Sequence, residues 1–285
     1  MNFIFFGGKF IGNYVLKGLL DNKLIPKGIV VYQGIIDEDL IVNAESKGAK
    51  ILKLKTFRNN QEKLTIFIKT IKPDYFVSVA FPFILSPKIL SLVKHPINIH
   101  TGAIPRYRGH HPMSAALLND EKYQATTVHL MAEEVDAGEI LLQDFILVKN
   151  TDTIVDIRIG LTELSLKLIL KVINQLKNDS LYPKKQVGDV IWAPKRTPED
   201  SLIDFSKDSR YIHNFIRALV DPYPNAFSFN KGKKVHIKQS IVANQAGIVL
   251  AKTIDGKYII STGNGVVMIE TDTSLAIGDK LTVND

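Results

Sequence analysis

The residues with the clearest capacity for chemistry are Asn98 and His100, two polar side chains in the short run from Ile97 to His100. If this run is a strand, alternate residues share one face, so both side chains point the same way with their Cα atoms about 7 Å apart. An amide can donate a hydrogen bond to an oxyanion, and a histidine with an ordinary pKa of about 6.5 can accept a proton at neutral pH. The pair therefore indicates acyl transfer, with a histidine that only caps local backbone as the alternative.

A carboxylate that could complete this pair is Asp136, in the acidic, turn-rich segment 133–139. Taken alone, such a segment is expected to be a solvated loop. If it folds over the strand that carries Asn98 and His100, the Asp136 carboxylate can orient the imidazole and stabilise its protonated form, as the third member of a catalytic triad does. We therefore predict Asn98, His100 and Asp136 as the catalytic residues.

The elements that must position these residues follow a strand and helix alternation over the first 180 residues. The first apolar run, residues 3–6, ends at two glycines and is followed by apolar residues at helical spacing. Strands that are apolar on both faces and separated by helices predict a doubly wound, mostly parallel α/β sheet of the Rossmann-like type. The carboxyl ends of its strands would line the ligand crevice, where His100 is expected. A long helix over residues 154–176 is predicted to begin with Thr153 and Asp156 as a capping box.

The character of the chain changes after residue 180. The helical periodicity lapses into a polar stretch that contains Pro183, Pro194 and Pro198, and short β-like runs follow after residue 225. Many short strands separated by turns predict a small, OB-like β-barrel. We predict a catalytic domain over residues 1–180, a linker over 181–203 and a small C-terminal β-barrel domain over 204–285.

The turn after the first strand contains Gly8 and Lys9, and it could hold a phosphate because a helix N-terminus follows it. The glycine spacing misses the GxGxxG fingerprint, and no acidic residue ends the second strand, near residues 29–34, to bind a ribose. An NAD-linked oxidoreductase is therefore disfavoured. A tight turn without a ligand and a phosphate site of another kind both stay open.

Composition excludes several classes of chemistry. The chain has 285 residues and no cysteine, so thiol nucleophiles and thiolate metal sites are excluded. We expect no metal, because the adjacent His110 and His111 point apart in an extended segment and lack further ligands at suitable spacing. No uncharged stretch reaches the ~18 residues of a membrane helix, and the start lacks the basic region of a secretory signal, so we expect a cytoplasmic location. The net charge of +7 favours an anionic partner.

Three motifs, Asn98-Ile-His100, Pro105-Arg-Tyr-Arg-Gly109 and Val135-Asp-Ala-Gly138, together resemble those of the folate-dependent formyltransferases. Residues 196–204, 213–217 and 222–224 resemble the start of the C-terminal domain of methionyl-tRNA formyltransferases and of the bacterial enzyme that formylates a nucleotide-linked aminoarabinose. The resemblance implies transfer of a formyl group from 10-formyltetrahydrofolate to an amine. In that interpretation Asn98 stabilises the oxyanion, His100 accepts or shuttles the proton and Asp136 holds the imidazole.

The resemblance also implies where the pterin of 10-formyltetrahydrofolate lies, between residues 81–85 and residues 133–138. The residues expected to contact it are Phe81, Phe83, Leu85, Glu133, Val135 and Gly138. The three apolar residues would form walls, and the loop would meet the polar groups of the pterin. For any single side chain, an ordinary core position is the alternative.

For the acceptor we predict the amino group of a nucleotide-linked amino deoxysugar, as in lipopolysaccharide or surface glycan biosynthesis. Methionyl-tRNA formyltransferases typically carry a basic insertion where residues 32–40 of this chain are short and acidic, and residues 102–104 are smaller than the usual sequence of those enzymes. The residues expected to bind the aminosugar nucleotide are Gly8, Lys9, Gly102, Arg106 and Arg108. The two arginines would face its diphosphate.

Two alternatives for the partner stay open. Methionyl-tRNA is the alternative acceptor, supported by the net charge and by Lys231, Lys233 and Lys234, which could follow a phosphate backbone. Such a lysine cluster in a hairpin is otherwise a solvated sheet edge. A non-enzymatic RNA-binding protein is a more distant alternative, because it leaves the three catalytic candidates without a role. A homodimer is expected only by analogy with related sugar enzymes.

Overall fold

A computed structural model describes residues 1–32, 37–54, 60–240, 248–252, 256–262, 266–269, 271 and 274–281. The chain divides into two compact units, Met1–Thr197 and Pro198–Asp285. Within the described ranges, we find no helix with the length and apolar character needed to cross a membrane.

The elements of the first unit are β1 (Phe3–Gly7), α1 (Lys9–Asp21), β2 (Gly28–Tyr32), α2 (Glu38–Ser46), β3 (Lys50–Leu54), α3 (Gln61–Ile71), β4 (Tyr75–Val79), α4 (Pro87–Leu90), β5 (His95–His100), β6 (Arg106–Gly109), α5 (Pro112–Leu118), β7 (Tyr123–Leu130), β8 (Ile140–Leu147), α6 (Ile154–Lys177) and β9 (Ile191–Ala193). Those of the second unit are a 3₁₀ turn (Pro198–Ser201), α7 (Ser209–Arg217), β10 (Ala226–Asn230), β11 (Lys233–Ile237), β12 (Val249–Lys252), β13 (Tyr258–Ser261) and β14 (Val266–Ile269).

A seven-stranded sheet forms the centre of the first unit, in the order β3-β2-β1-β4-β5-β7-β8. Strands β1 to β5 pair in parallel, and β7 and β8 continue the sheet in antiparallel fashion. Every residue of β1 and β4 is buried, which is why these strands are apolar at successive positions rather than at alternate ones. The predicted mostly parallel α/β sheet is confirmed.

Three neighbouring strands bring the segments of interest to one edge of this sheet. Because β1, β4 and β5 are parallel neighbours, the turn at Gly8, residues 80–85 and the loop after His100 all follow carboxyl ends at the same edge. Lys9, two residues after the end of β1, and Ala80, directly after β4, have left-handed φ angles of 57° and 51°. Non-glycine residues rarely adopt this conformation, and strained backbone of this kind is concentrated at functional sites.

The long helix α6 supports the antiparallel side of the sheet. Thr153 accepts a hydrogen bond from the backbone N–H of Asp156, and the Asp156 carboxylate accepts one from the backbone N–H of Thr153, so the predicted capping box is confirmed. The helix packs on β7 and β8 and against α1. Its buried residues, such as Leu161 and Leu168, follow the helical period.

The segment after α6 is more ordered than the sequence indicates. Strand β9 lies inside the stretch that we predicted as a linker, and it pairs in parallel with β6. An antiparallel bridge between Ile140 and Lys184 ties the same segment to the start of β8. Our predicted domain boundaries at residues 180 and 204 stay predictions.

The second unit consists of short antiparallel strands, as predicted. Strands β10 and β11 form a hairpin, and β12, β13 and β14 form a three-stranded sheet around the buried residues Val249, Tyr258 and Ile260. Two predicted strand residues, Gly247 and Gly265, lie outside the described residues. Closure of these strands into an OB-like barrel stays a prediction.

Candidate active site

The antiparallel pairing of β5 with β7 places three polar side chains on one face of the sheet. Asn98 lies directly opposite His129, and His100 lies two residues further along the same strand. The Asn98 Nδ2 atom is 3.1 Å from His129 Nε2, and the two imidazole rings are 6.5 Å apart between centroids. The predicted common orientation of Asn98 and His100 therefore holds, and a second histidine joins them.

The Asp136 loop folds over this face, as its proposed role requires. One oxygen of the Asp136 carboxylate is 3.3 Å from His100 Nδ1, and the other is 3.4 Å from His129 Nε2. The first oxygen also accepts a hydrogen bond of 3.0 Å from the backbone N–H of Gly109. Burial opposes ionisation of the carboxyl group, but the His129 and His100 side chains and the Gly109 N–H outweigh burial and lower the pKa of Asp136 to about 2. Asp136 is therefore an anion at neutral pH that faces two imidazoles.

The protonation of His100 follows from its partners. Its Nε2 atom is 2.7 Å from the carbonyl oxygen of Tyr107, which can only accept, so Nε2 carries a hydrogen and Nδ1 faces the Asp136 carboxylate. Burial lowers the pKa of His100, while Asp136 and the Tyr107 carbonyl act in the opposite direction. A second proton on the ring would therefore lie on Nδ1, beside the carboxylate that stabilises it.

Two further features hold the His100 ring in place. A side chain at Gly102 would lie 2.6 Å from His100 Nε2, so the loop can approach the imidazole only because this residue is glycine. The Tyr107 residue that supplies the carbonyl has a left-handed φ of 63°, and Asp136 has one of 55°. Both strained residues contact His100 directly.

His129 is the residue that the sequence interpretation missed. Its Nδ1 atom is 2.7 Å from the carbonyl of Leu130 and therefore donates to it, and its Nε2 atom is the one that faces Asn98. The side chain is only 1% exposed. No motif surrounds it, and the signal that could have revealed it is the strand register that pairs residue 98 with residue 129.

The arrangement supplies the parts of an acyl-transfer site. The Asn98 amide nitrogen carries two hydrogens, of which one is directed to His129 and the other remains for an oxyanion. His100 and His129 each place a ring nitrogen beside Asp136, and the carboxylate stabilises a proton on Nδ1 of His100. Oxyanion donor, proton acceptor and counter-charge are thus brought together, although their catalytic use stays a prediction.

The two arginines of the Pro105-Arg-Tyr-Arg-Gly109 motif, which we expected to face a diphosphate, are hydrogen-bonded to side chains of the protein. The Arg106 guanidinium donates to Glu121 at 2.6 Å. Arg108 is buried and donates to Glu134 at 3.1 Å and to Gln186 at 2.7 Å. Each positive charge is therefore already paired with a carboxylate, and Arg108 faces the protein interior.

The first segment predicted to contact the folate, residues 81–85, contains both buried and exposed side chains. Phe81 and Phe83 are partly buried and pack edge to face with each other at 5.6 Å. Leu85 is only 5% exposed and belongs to the core, so little of its surface is left for a ligand. Ile84, which we did not predict, is 69% exposed.

The loop residues that we predicted to contact the folate also differ in their exposure to solvent. Glu133 and Val135 are exposed, as loop contacts to a ligand require. Gly138 serves packing, because a Cβ atom there would lie 1.8 Å from the Leu130 carbonyl oxygen. At the first turn Gly8 is buried and Lys9 is exposed.

A surface cavity of about 660 Å³ lies on the far side of the loop that packs against His100. It is lined by residues 101–107 and by Tyr123, Gln143 and Phe145, but by no member of the polar cluster that we define as Asn98, His100, His129 and Asp136. Gln143 donates to the Ile104 carbonyl and to Thr127 Oγ1, so this wall of the cavity supports the loop beside His100. We therefore place the chemistry at the polar cluster and not in the cavity.

In the part of the chain that the structure describes, no group of three His, Asp or Glu side chains has the geometry to hold a metal ion.

An α/β unit in which buried and half-buried Asn, His and Asp side chains converge on one face of the sheet has the form of a group-transfer enzyme. The chain matches the family described as formyl transferase over residues 22–173 and the formyl transferase C-terminal domain over residues 195–285. The protein therefore belongs to the formyltransferase family.

Relatives of known name extend this match. The chain is 31% identical over 204 residues to a methionyl-tRNA formyltransferase of Thermodesulfovibrio yellowstonii, a match that covers 71% of this chain and 66% of that protein. It is also 31% identical over 235 residues to the methionyl-tRNA formyltransferase of Thermotoga neapolitana, covering 80% of this chain and 74% of that protein.

Solved structures share the fold. An N-formyltransferase from Helicobacter canadensis, in complex with folinic acid and dTDP-3-aminofucose, has a TM-score of 0.70 at 21% identity and covers 94% of this chain and 98% of its own. A 4-N formyltransferase from Francisella tularensis has a TM-score of 0.65 at 21% identity, with 84% of this chain and 98% of its own covered. At this identity the likeness concerns the fold alone.

The prediction of a nucleotide-linked aminosugar as the acceptor is wrong by this comparison. The relatives at about 30% identity that cover most of the chain are named methionyl-tRNA formyltransferases, whereas the likeness to sugar enzymes is one of fold. Arg106 and Arg108, which we expected to face the diphosphate of that acceptor, are paired with Glu121 and Glu134 in the structure. Of the short acidic segment on which the prediction relied, residues 33–36 lie outside the described residues.

Proposed function

We propose that the protein transfers the formyl group of 10-formyltetrahydrofolate to the amino group of methionyl-tRNA. The observation that carries the chemistry is the convergence of Asn98, His100 and Asp136 on one face of the sheet, in a chain of the formyltransferase family. The names of the relatives that match most of the chain support methionyl-tRNA as the acceptor. A non-enzymatic RNA-binding role has no support from the family.

The reaction requires attack of the neutral amine on the formyl carbon. The carbonyl π electrons move onto oxygen, and the Asn98 Nδ2–H that does not face His129 is the donor proposed to stabilise this oxyanion. The amine proton passes to a ring nitrogen beside Asp136. Collapse then re-forms the carbonyl and breaks the bond to N10 of the folate, which leaves with a proton. Asp136 remains ionised throughout, consistent with its low pKa.

The residues near the site fit a folate. Phe81 and Phe83 offer aromatic edges, and the exposed Ile84 is an apolar side chain that a flat heteroaromatic ring would cover. Glu133 and Val135 are exposed on the loop that carries Asp136. The pterin is therefore proposed to lie between these two segments, with its formyl group directed at Asn98.

A basic surface in the second unit supports a nucleic-acid acceptor. In the β10–β11 hairpin Phe229 is 58% exposed and pairs across the strands with Lys234, and Lys231 and Lys233 lie at the turn. Lysines beside an exposed aromatic ring are suited to a phosphate backbone and an unpaired base. The net charge of +7 acts in the same direction.

The test is to incubate the purified protein with 10-formyltetrahydrofolate and charged initiator tRNA, and to determine the mass of the aminoacyl group after mild alkaline release. We expect N-formylmethionine and an equal amount of tetrahydrofolate. If tetrahydrofolate is released with other primary amines but charged tRNA is not formylated, the acceptor is wrong and the folate chemistry stands. If no amine accelerates tetrahydrofolate release, the proposed function is wrong as a whole.

A further inference from the structure

Gln186 connects two parts of the site that are far apart in sequence. Its Nε2 atom donates to the backbone carbonyls of Asp136 and Gly138, each at 2.7 Å. Its Oε1 atom accepts from the Arg108 guanidinium, at 3.2 Å from Nε and 2.7 Å from Nη2. One side chain therefore links the loop that carries Asp136 to strand β6.

The chemistry of these partners determines the orientation of the amide. The Asp136 and Gly138 carbonyls can only accept, and the Arg108 guanidinium can only donate, so the NH₂ and C=O groups of Gln186 have no alternative placement. Both hydrogens of the amide nitrogen and both acceptor positions of the oxygen are used. Glutamate at this position would lack the two donors, and an apolar residue would lack all four bonds.

A hydrogen bond to the backbone carbonyl of Asp136 restrains the same residue whose side-chain carboxylate faces the imidazoles. Asp136 has a left-handed φ of 55°, a conformation that needs support from its surroundings. Gln186 donates a hydrogen bond to the backbone carbonyl of Asp136, and the Gly109 N–H donates one to the Asp136 carboxylate. Both hydrogen bonds therefore act on the residue whose carboxylate lies 3.3 Å from His100 Nδ1.

Gln186 can act in this way because its own segment is anchored at both ends. Lys184 exchanges backbone hydrogen bonds of 2.7 and 2.8 Å with Ile140 on one side. Strand β9 pairs with β6 on the other side, and β6 contains Arg108 and Gly109. Backbone pairing on both sides restrains the segment that contains Gln186. The Gln186 amide therefore fixes the Asp136 loop relative to β6.

We propose that Gln186 is a positioning residue of the active site, which holds the Asp136 backbone so that the carboxylate faces both imidazoles. The proposal rests on the proposed function in that Asp136 is taken to act in catalysis. A purely structural role, in which Gln186 only stabilises the segment, would make loss of activity follow loss of stability.

The test compares Gln186→Glu and Gln186→Met, alone and combined with Asp136→Asn, with Gln61→Glu as the control. Gln61 is exposed at the start of α3, so the control makes the same chemical change away from the site. We expect each Gln186 variant to lower kcat about ten- to a hundredfold, with little change in KM for 10-formyltetrahydrofolate. In the Asp136→Asn background the same changes should lower kcat less than twofold, because the group that they position is already lost. Equal losses in both backgrounds would contradict the proposal.

A second readout does not depend on activity. The groups that face His100 are Asp136 from the loop, His129 from β7 and the Tyr107 carbonyl from β6. Because the Asp136 charge raises the pKa of His100 against the effect of burial, moving it away should lower that pKa further. We expect histidine NMR titration to show this decrease in Gln186→Met, which adds no charge, and in Asp136→Asn but not in Gln61→Glu.

The outcomes separate the two proposals. An unchanged His100 titration in Gln186→Met would contradict the positioning role, whatever the activity of that variant. A lowered His100 pKa in a protein that transfers no formyl group would leave the positioning role intact and remove the proposed function. If Gln186→Glu does not fold, Gln186→Met, which keeps the length of the side chain without its charge, provides the same comparison.

Discussion

Asn98 and His129 face each other across β5 and β7, with 3.1 Å between the amide nitrogen and Nε2 of the imidazole. The contact orients the Asn98 amide, since His129 is itself held by a 2.7 Å hydrogen bond to the Leu130 carbonyl. The proposed oxyanion donor is therefore not a lone side chain but one end of a short chain of hydrogen bonds. That relationship leads to the first prediction.

Replacing His129 by phenylalanine keeps a ring but removes the acceptor for Asn98. We expect kcat to fall about ten- to a hundredfold, because the amide loses its orientation while remaining present. Steady-state kinetics of His129→Phe and His129→Gln, together with their melting temperatures, check this. Wild-type turnover in a folded His129→Phe protein would show that Asn98 needs no such support.

Removing the Asn98 amide should be more severe for catalysis and mild for stability. We expect Asn98→Ala to lower kcat about a hundred- to a thousandfold, the range measured for loss of one oxyanion-hole donor. Asn178, exposed at the end of α6, provides the matched control, and Asn178→Ala should keep full activity. Rates of tetrahydrofolate release under single-turnover conditions distinguish the two variants, and equal rates would remove Asn98 from the mechanism.

The low pKa of Asp136 predicts a dependence of stability on pH. Its pKa is about 2 in the folded protein against an ordinary value of 3.8, which corresponds to about 2 kcal/mol. Because the folded pKa is depressed, this contribution is complete above the ordinary value and is lost as the pH falls towards 2. The free energy of unfolding should therefore differ between wild type and Asp136→Asn by about 2 kcal/mol at pH 7, and the difference should shrink below pH 4. Denaturant titrations at several pH values measure it, and a difference that does not change with pH would contradict the assignment.

Gly138 and Gly160 provide a contrast in packing. A Cβ atom at residue 138 would lie 1.8 Å from the Leu130 carbonyl oxygen, whereas one at residue 160 would lie 3.1 Å from a flexible methyl group of Ile146. We expect Gly138→Ala to shift the Asp136 loop, to destabilise the protein by about 1–3 kcal/mol and to abolish most of the activity. Gly160→Ala lies within α6 and should be neutral or stabilise by up to about 1 kcal/mol. Thermal unfolding and turnover of both variants test the contrast, which fails if Gly138→Ala is fully active.

The two arginines of the motif should respond differently to removal. Arg106 is 49% exposed, so Arg106→Ala should cost at most about 1 kcal/mol. Arg108 is 7% exposed, and its loss leaves Gln186 Oε1 without its donors, so Arg108→Ala should cost about 1–3 kcal/mol. Denaturant unfolding measures both values. A large increase in KM for the acceptor in a stable Arg106→Ala protein would instead indicate contact with the substrate.

Local sequence patterns were sufficient to predict much of the fold. Apolar runs such as residues 3–6 predicted parallel strands because a strand buried on both faces needs apolar side chains at successive positions. Thr153 and Asp156 predicted the start of α6 because a capping box is satisfied entirely within four residues. The strand β9 was not predicted, because its pairing with β6 depends on a contact more than 80 residues away in sequence.

The same distinction applies to the site. The sequence by itself determined the shared face of Asn98 and His100, because alternation along one strand is a local property. Only the tertiary structure decided that Asp136 lies against His100, that His129 and Gln186 join the site and that Arg108 is buried and paired. Each of these contacts joins separate segments through strand register and loop packing. Such contacts are stabilised by the packing of the whole folded unit, so the spacing of residues along the sequence does not predict them.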